Sequence, residues 1–295
     1  MSNRVITEDE ISSVSDYITL MKPRVMSLVI FSGIVGMIMA PGHIHPLLGF
    51  ITILCIIAGH GAAAALNMWY DRDIDASMRR AQQRAIVAGK ISSGDGRAFG
   101  IILSLFSVML LSLCVNYLAG FILLITILFY IFIYTIWLKR RSVHNIVIGG
   151  AAGAFPPMIG WAAVTGNIAT ESLILFFIIF LWTPPHFWAL ALYQSEDYKK
   201  CNIPMMPIIK GDDYTKNQII FYTILTIISS LLPLFINMNG LLYGIAALIL
   251  GAIFLYYAIA LKADKLNSKA PRMFFFSIFY LFALFIAMII DHYLI

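Results

Sequence analysis

Charge is scarce in this sequence. Asp, Glu, Lys and Arg make up 12% of its 295 residues, where a soluble globular chain carries about a quarter. Too few charges remain to cover a water-facing surface, and a soluble domain is excluded. Cysteine is scarce as well: Cys55, Cys114 and Cys201 lack metal-ligand spacing, and the first two lie in apolar runs, so neither a disulfide framework nor a zinc site is supported. The opening MSNRVITEDEISS has neither the apolar stretch of a secretory signal nor the acid-poor, Arg-rich character of a transit peptide. A bacterial inner (plasma) membrane is the expected setting. No linker, low-complexity run or domain-sized charge block interrupts the chain, so one integral-membrane domain over 1–295 is expected, with 1–20 as a cytoplasmic N-terminal segment.

What is abundant is apolar: 61% of the residues. A helix crossing the roughly 30 Å hydrocarbon layer needs about 20 such residues. Nine uncharged runs qualify: Val25–Ala40, Leu47–Met68, Ala98–Val115, Leu118–Leu138, Ile146–Val164, Ser172–Gln194, Asn217–Ile236, Leu241–Leu261 and Met273–Ile290. The third and fourth almost touch, but one helix through both would be about 60 Å long at 1.5 Å per residue, so a tight turn at Asn116 is expected. The expected fold class is therefore all-α and polytopic, a bundle of nine transmembrane helices. The 20 Lys and Arg fall on alternate loops: three in the N-terminal segment, then six, three, four and four after spans two, four, six and eight. The positive-inside rule places those loops and the N-terminus in the cytoplasm and the C-terminus in the periplasm. The net charge of +5 is thereby absorbed as a topology signal, with no nucleic-acid partner required. The run Gly149–Phe155 is small-residued and precedes Pro156 and Pro157, which predicts close helix approach and a kink in span five.

The chemistry collects at the loops. Asn67, Asp71 and Asp75 recur at i, i+4 and i+8 at the end of span two and share one helical face. Like charges one turn apart destabilise a helix unless a cation neutralises them. A hard divalent ion fits: Mg²⁺ prefers oxygen ligands and is commonly held by one or two carboxylates with substrate phosphates. Downstream, Arg80 and Arg84 offer planar forks suited to phosphate oxygens. Acid, metal and arginine together suggest a diphosphate; the bland alternative is a solvated loop of mixed charge.

A second copy favours the first reading. Span six closes with carboxylates at the same membrane end, Glu196 and Asp197, and His60 and His186 each precede an aspartate, Asp71 and Asp197, by 11 residues. In straight helices each histidine lies about 16 Å deeper than its carboxylate. Two facing acidic corners around a bundle are expected. Asp71, Asp75, Glu196 and Asp197 with a diphosphate sum to about −7, which two Mg²⁺ with Arg80 and Arg84 bring close to neutral. His60 and His186 are the ionisable residues deep inside spans, and such histidines are functional candidates. The preceding Pro184 and Pro185 are expected to break the helical hydrogen-bond ladder just before His186 and to expose carbonyls there. For His186 a substrate contact and a satisfied interhelical hydrogen bond stay open; for His60 the hydrogen bond is preferred. Trp69, Tyr70, Trp182, Trp188 and Tyr193 are expected mostly in interfacial belts, with cation stabilisation the alternative.

The segments NMWYDRDIDASMRRAQQR, TPPHFWALALYQSEDYKKCNIPMMP and KGDDYTKNQI resemble the UbiA superfamily of intramembrane prenyltransferases, and within it the branch that farnesylates haem. The resemblance extends over nearly the whole chain. It implies a UbiA-like bundle and transfer of farnesyl from farnesyl diphosphate to the vinyl group of haem B, with addition of water, giving haem O and diphosphate. It further implies that Asn67, Asp71 and Asp75 bind Mg²⁺-diphosphate, that Arg80 and Arg84 grasp phosphate oxygens, and that His186 serves the haem. Glu196 and Asp197 match the second acidic element, here followed by Tyr198 rather than spaced as D-x-x-x-D. Mg²⁺ is the implied cofactor. Farnesyl diphosphate, haem B and membrane lipid are the implied partners, with haem A synthase or terminal-oxidase assembly factors as associates. Two other readings stay open: a prenyltransferase acting on an aromatic quinone precursor, and a transporter. A transporter wants ionisable groups near the midplane, each costing upwards of about 2.5 kcal/mol. Here the carboxylates cluster at one interface.

Overall fold

The computed structural model of the chain describes residues 12–78, 81–201 and 203–294, without the side chains of Arg24, Val25, Glu196, Asp197 and Lys200. Every regular element among them is helical. The order is α1 (Val14–Leu20), α2 (Pro23–Met39), α3 (Pro46–Tyr70), α4 (Arg72–Ser77), α5 (Ser93–Cys114) and α6 (Tyr117–Leu128), which widens into a π-helix over Phe129–Leu138. Then follow α7 (Asn145–Gly149), α8 (Ala151–Ala154), α9 (Pro156–Thr165), α10 (Thr170–Tyr193), α11 (Ser195–Lys200), α12 (Met206–Lys210), α13 (Asp212–Phe235), α14 (Leu241–Ala263) and α15 (Ala270–Leu294). Among the described residues eight segments are long and apolar enough to cross a membrane: α3, α5, α6 with its π continuation, α7 to α9 together, α10, α13, α14 and α15. The remaining expected span falls in α2, which is apolar but only 17 residues long. Large apolar side chains such as Ile102, Leu105, Phe106 and Met109 on α5 point outward, as a lipid-facing surface requires.

Apolar solvent gives helices little reason to associate, so close packing decides how they meet. A methyl group on Gly36 of α2 would stand 2.0 Å from the Pro157 carbonyl oxygen, and one on Gly160 of α9 would stand 2.1 Å from that of Gly33. Both obstacles are backbone. The fifth span is interrupted at Gly150 and at Phe155, just ahead of Pro156 and Pro157, as the sequence predicts. The tight turn also falls where expected: Asn116 caps α6 by accepting from the Ala119 amide at 2.9 Å and donates to the Ala162 carbonyl at 2.8 Å.

The ladder loses two donors just before His186, as expected, but the helix is not interrupted there. α10 runs unbroken from Thr170 to Tyr193 through Pro184 and Pro185. Each proline removes one N–H from the ladder, but this helix is enclosed by α8, α9, α13 and α15, and packing holds its axis where hydrogen bonds are missing.

The basic loops gather at one end. Lys22 reaches Asn67, Lys139 reaches Asp71, Asn145 reaches the Pro204 carbonyl, and Asn267 reaches Asp212. At the other end Asp291 of α15 accepts from the Gly240 and Tyr243 amides that open α14, at 2.5 and 3.1 Å. The carboxylate satisfies donors that the helix start leaves unpaired. Replacing Gly36 by Val should lower the thermal unfolding temperature of the purified protein, by the equivalent of about 1–3 kcal/mol for overpacking. Gly153→Ala, where a methyl meets nothing within 4 Å, should leave it unchanged.

Candidate active site

Asn67, Asp71 and Asp75 are 2%, 0% and 1% exposed, respectively, at the end where the basic loops meet. α3 itself stops at Tyr70, and Asp71 is the joint between α3 and α4. The ladder nevertheless survives the joint: the Asp71 amide donates to the Asn67 carbonyl at 2.9 Å and the Asp75 amide to the Asp71 carbonyl at 2.8 Å. The shared face read from the spacing is therefore kept.

Two buried carboxylates one turn apart need counter-charge. Three basic side chains supply it. Lys139 contacts Asp71 through Nζ, Arg84 contacts Asp75 through Nη1, and Arg140 reaches Asp71 at 3.4 Å while gripping both oxygens of Asp73 at 2.8 and 2.9 Å. That grip holds the Asp73 carboxyl below the usual carboxylate range. The Asn67 amide nitrogen donates to Asp71 Oδ2 at 2.7 Å and to Thr135 Oγ1 at 3.1 Å, while its oxygen accepts from Lys22 Nζ at 3.0 Å. Burial, reinforced by Arg84 and Lys139, pushes the Lys22 ammonium down to about 7.

The π-helix contributes to this arrangement. Thr135 Oγ1 donates to the Tyr130 carbonyl and the Lys139 amide to the Tyr134 carbonyl, both five residues back and both at 2.8 Å. The wide register carries Thr135 onto Asn67 and Lys139 onto Asp71, in keeping with π-helical turns marking functional sites. Beside the cluster a cavity of about 240 Å³ is lined by Asp16, Gln83, Arg84 and Lys90, among others.

The second acidic element approaches the first. Cys201, just beyond α11, donates its Sγ–H to the Ile74 carbonyl of α4 at 3.7 Å, and Tyr198 and Ile203 share one apolar cluster with Met78 and Ala81. The Glu196 and Asp197 side chains and the whole of Arg80 lie outside the described residues. Among the described residues no group of three or more His, Cys, Asp or Glu side chains is placed to hold a metal. Asp71 and Asp75 with the Asn67 carboxamide still form a set of hard oxygen donors. The ammonium and guanidinium groups now seated on them show that these positions take positive charge. The donor set fits Mg²⁺.

Lys139, Arg140, Lys22 and Thr135 are site residues that sequence reasoning missed. The lysines and Arg140 were visible only as loop charges that set topology. Thr135 carried no signal.

His186 stands apart from this cluster. Its Nδ1 lies 2.7 Å from Ser277 Oγ, and its ring is stacked between Trp182 at 4.3 Å and Phe274 at 4.6 Å. The interhelical hydrogen bond left open by the sequence thus exists, to α15. His60 bonds the Ile56 carbonyl of its own helix through Nδ1 at 3.0 Å and also meets the backbone of Ala152 in α8. The aromatic belt needs correction. Trp182 and Trp188 are buried inside the bundle, because α10 is an interior helix, while Tyr193 is exposed. Trp69 and Tyr70 lie at the polar end, with Arg72 and Arg97 over Trp69 and Arg140 over Tyr70 at 4.8 Å.

A model of the UbiA prenyltransferase family matches residues 29–285. Protoheme IX farnesyltransferase of Rickettsia bellii is 55% identical over 276 residues, covering 93% of this chain and 92% of that protein. The protein of the same name from Rickettsia rickettsii is 58% identical, covering 93% and 90%. Among solved structures, a digeranylgeranylglyceryl phosphate synthase superposes with a TM-score of 0.80 at 21% identity, covering 96% of this chain and 99% of that one. A UbiA homolog from Archaeoglobus fulgidus bound to GPP and Mg²⁺ superposes at 0.64 with 14% identity, covering 92% and 99%.

Lys139→Met should destabilise the fold, since removing one partner of a buried pair costs about 3–5 kcal/mol. Thermal unfolding should show most of that loss recovered in the double variant Asp71→Asn, Lys139→Met. A bound anion should re-protonate Lys22. Calorimetry of inorganic pyrophosphate binding at pH 8, in buffers of different ionisation enthalpy, should show greater proton uptake by the unaltered protein than by Lys22→Met.

Proposed function

The chain belongs to the UbiA prenyltransferase family, and on that premise we propose that it transfers farnesyl from farnesyl diphosphate to the vinyl group of haem B with addition of water, giving haem O and diphosphate. The observation that carries this reading is the 55–58% identity, over 93% of the chain, to proteins named protoheme IX farnesyltransferase. The Archaeoglobus fulgidus homolog with GPP and Mg²⁺ supports a metal-dependent diphosphate site in this fold.

Asn67, Asp71 and Asp75 would hold Mg²⁺ together with carboxylates of the second element, Glu196 and Asp197. When bound, the ion neutralises these carboxylates and polarises the diphosphate leaving group. Arg80 and Arg84 grasp phosphate oxygens, joined by Lys22, Lys139 and Arg140. Arg84, Lys139 and Arg140 exchange carboxylate for phosphate when substrate enters, so cationic groups already stand where negative charge grows on the leaving oxygen. The C1–O bond breaks and its electron pair departs with diphosphate. The terminal vinyl carbon of haem gives its π pair to farnesyl C1, leaving a benzylic-type cation beside the ring. Water adds there and loses a proton, forming the hydroxyethylfarnesyl group. The apolar bundle keeps bulk water from the first cation. His186, in the interior below the polar end, serves the haem.

The same reading sets α2 as a ninth span. Its 17 residues give about 26 Å at 1.5 Å per residue, at the lower limit for crossing. The basic end is then cytoplasmic, the C-terminus periplasmic, and the chain a single domain of the inner membrane. The mass of the pigment extracted after expression with haem B and farnesyl diphosphate tests the reading. Haem O, heavier than haem B by a hydrated farnesyl group, is expected. Unmodified haem with a prenylated hydroxybenzoate would point to the quinone branch. Asp71→Ala or Asp75→Ala should abolish turnover in inserted, folded protein, and excess chelator should stop it until Mg²⁺ is restored; activity in either circumstance removes the metal assignment.

A further inference from the structure

Ser277 holds three groups of the interior together. Its carbonyl accepts from Trp182 Nε1 at 2.7 Å, its hydroxyl donates to the Phe274 carbonyl at 2.6 Å, and its Oγ lies 2.7 Å from His186 Nδ1. Counting protons fixes the direction of the last bond. A carbonyl oxygen cannot donate, so the one hydroxyl proton must lie between Ser277 Oγ and the Phe274 oxygen. Oγ then has only lone pairs to offer His186, and two lone pairs facing each other at 2.7 Å would repel. Nδ1 therefore carries a proton and donates it. In a neutral imidazole the other nitrogen, Nε2, must be the bare acceptor.

A half-turn of the ring about Cβ–Cγ would keep the plane that stacks on Trp182 and Phe274, at interplanar angles of 19° and 25°, but would put carbon Cδ2 where Nδ1 stands and lose the bond to Ser277. Among the described residues no group engages Nε2. A histidine whose Nδ1–H is tied to a fixed acceptor while Nε2 is left as a lone pair is the arrangement found behind metal-ligating imidazoles.

We propose that Ser277 is a positioning residue that locks His186 in its Nδ1–H form, so that Nε2 ligates the iron of the haem substrate. This rests on the reading of the chain as a haem farnesyltransferase. Ser277 itself touches no substrate; it acts through the orientation and tautomer of His186.

The test uses the full chain in nanodiscs, titrated with ferric protohaem and, separately, with farnesyl diphosphate. Wild-type protein should give the visible spectrum of a histidine-ligated haem, and His186→Ala should lose it. Ser277→Ala should weaken haem binding about tenfold or more, the usual effect of removing such a supporting hydrogen bond, and raise KM for haem with farnesyl diphosphate binding unchanged. Ser277→Thr, which keeps the hydroxyl, should restore both. In ¹⁵N-histidine-labelled protein without haem, the signals lost in His186→Ala should show a protonated Nδ1 and a bare Nε2. A wild-type haem spectrum and affinity in Ser277→Ala, or a protonated Nε2 in the unaltered protein, overturns the proposal even while haem O is formed. Failure of the wild-type protein to make haem O overturns the functional reading instead, and product mass distinguishes the two failures.

Discussion

Two desolvated carboxylates, Asp71 and Asp75, set the terms for the polar end of this molecule. Neither could remain buried as an anion without counter-charge, and the cations that supply it come from separate parts of the chain: Lys139 and Arg140 after the π-helix, and Arg84 from the segment after α4. Lys22 completes the ring through Asn67 from a left-handed backbone conformation, φ 53°. A non-glycine residue there costs about 1–2 kcal/mol, and such strain commonly collects at functional sites. The widened turn at Phe129–Leu138 belongs to the same arrangement, because it delivers Thr135 and Lys139 to the face where Asn67 and Asp71 stand.

Below this charged tier the bundle changes character. His186 sits on α10, packed by aromatic rings and one serine, where the tier above is held by ion pairs. The two levels suit substrates with an anionic head and a long apolar body: charge recognition at the rim, shape and ring contacts inside. Low dielectric in the interior strengthens any electrostatic contact made there, while the rim stays accessible to hydrated anions.

How much of this the sequence revealed follows from the kind of signal each feature leaves. Spans are long, so hydropathy located the eight long ones and the apolar segment of α2, and Asn116 marked its own turn. Asn67, Asp71 and Asp75 announced themselves by helical spacing. Lys139 and Arg140 did not, because a basic residue at a span end already has an explanation in membrane topology, and only the fold shows that these two lean onto Asp71. Ser277 was illegible for another reason: one hydroxyl among phenylalanines looks like a gap in an apolar run until α15 is laid against α10. The double proline left its mark as two missing donors in the ladder, whereas the continuity of α10 past it depends on the neighbours packed around that helix.

The separation of Asp71 from its ammonium partner bears on biosynthesis. Asp75 meets Arg84 nine residues later in the chain, within the same emerging loop. Asp71 must wait for Lys139, 68 residues further on. During translation the acid therefore leaves the ribosome two transmembrane segments before its neutralising lysine. Until then it must stay hydrated at the polar rim, and the rim can close only after the helix carrying Lys139 has entered the bilayer.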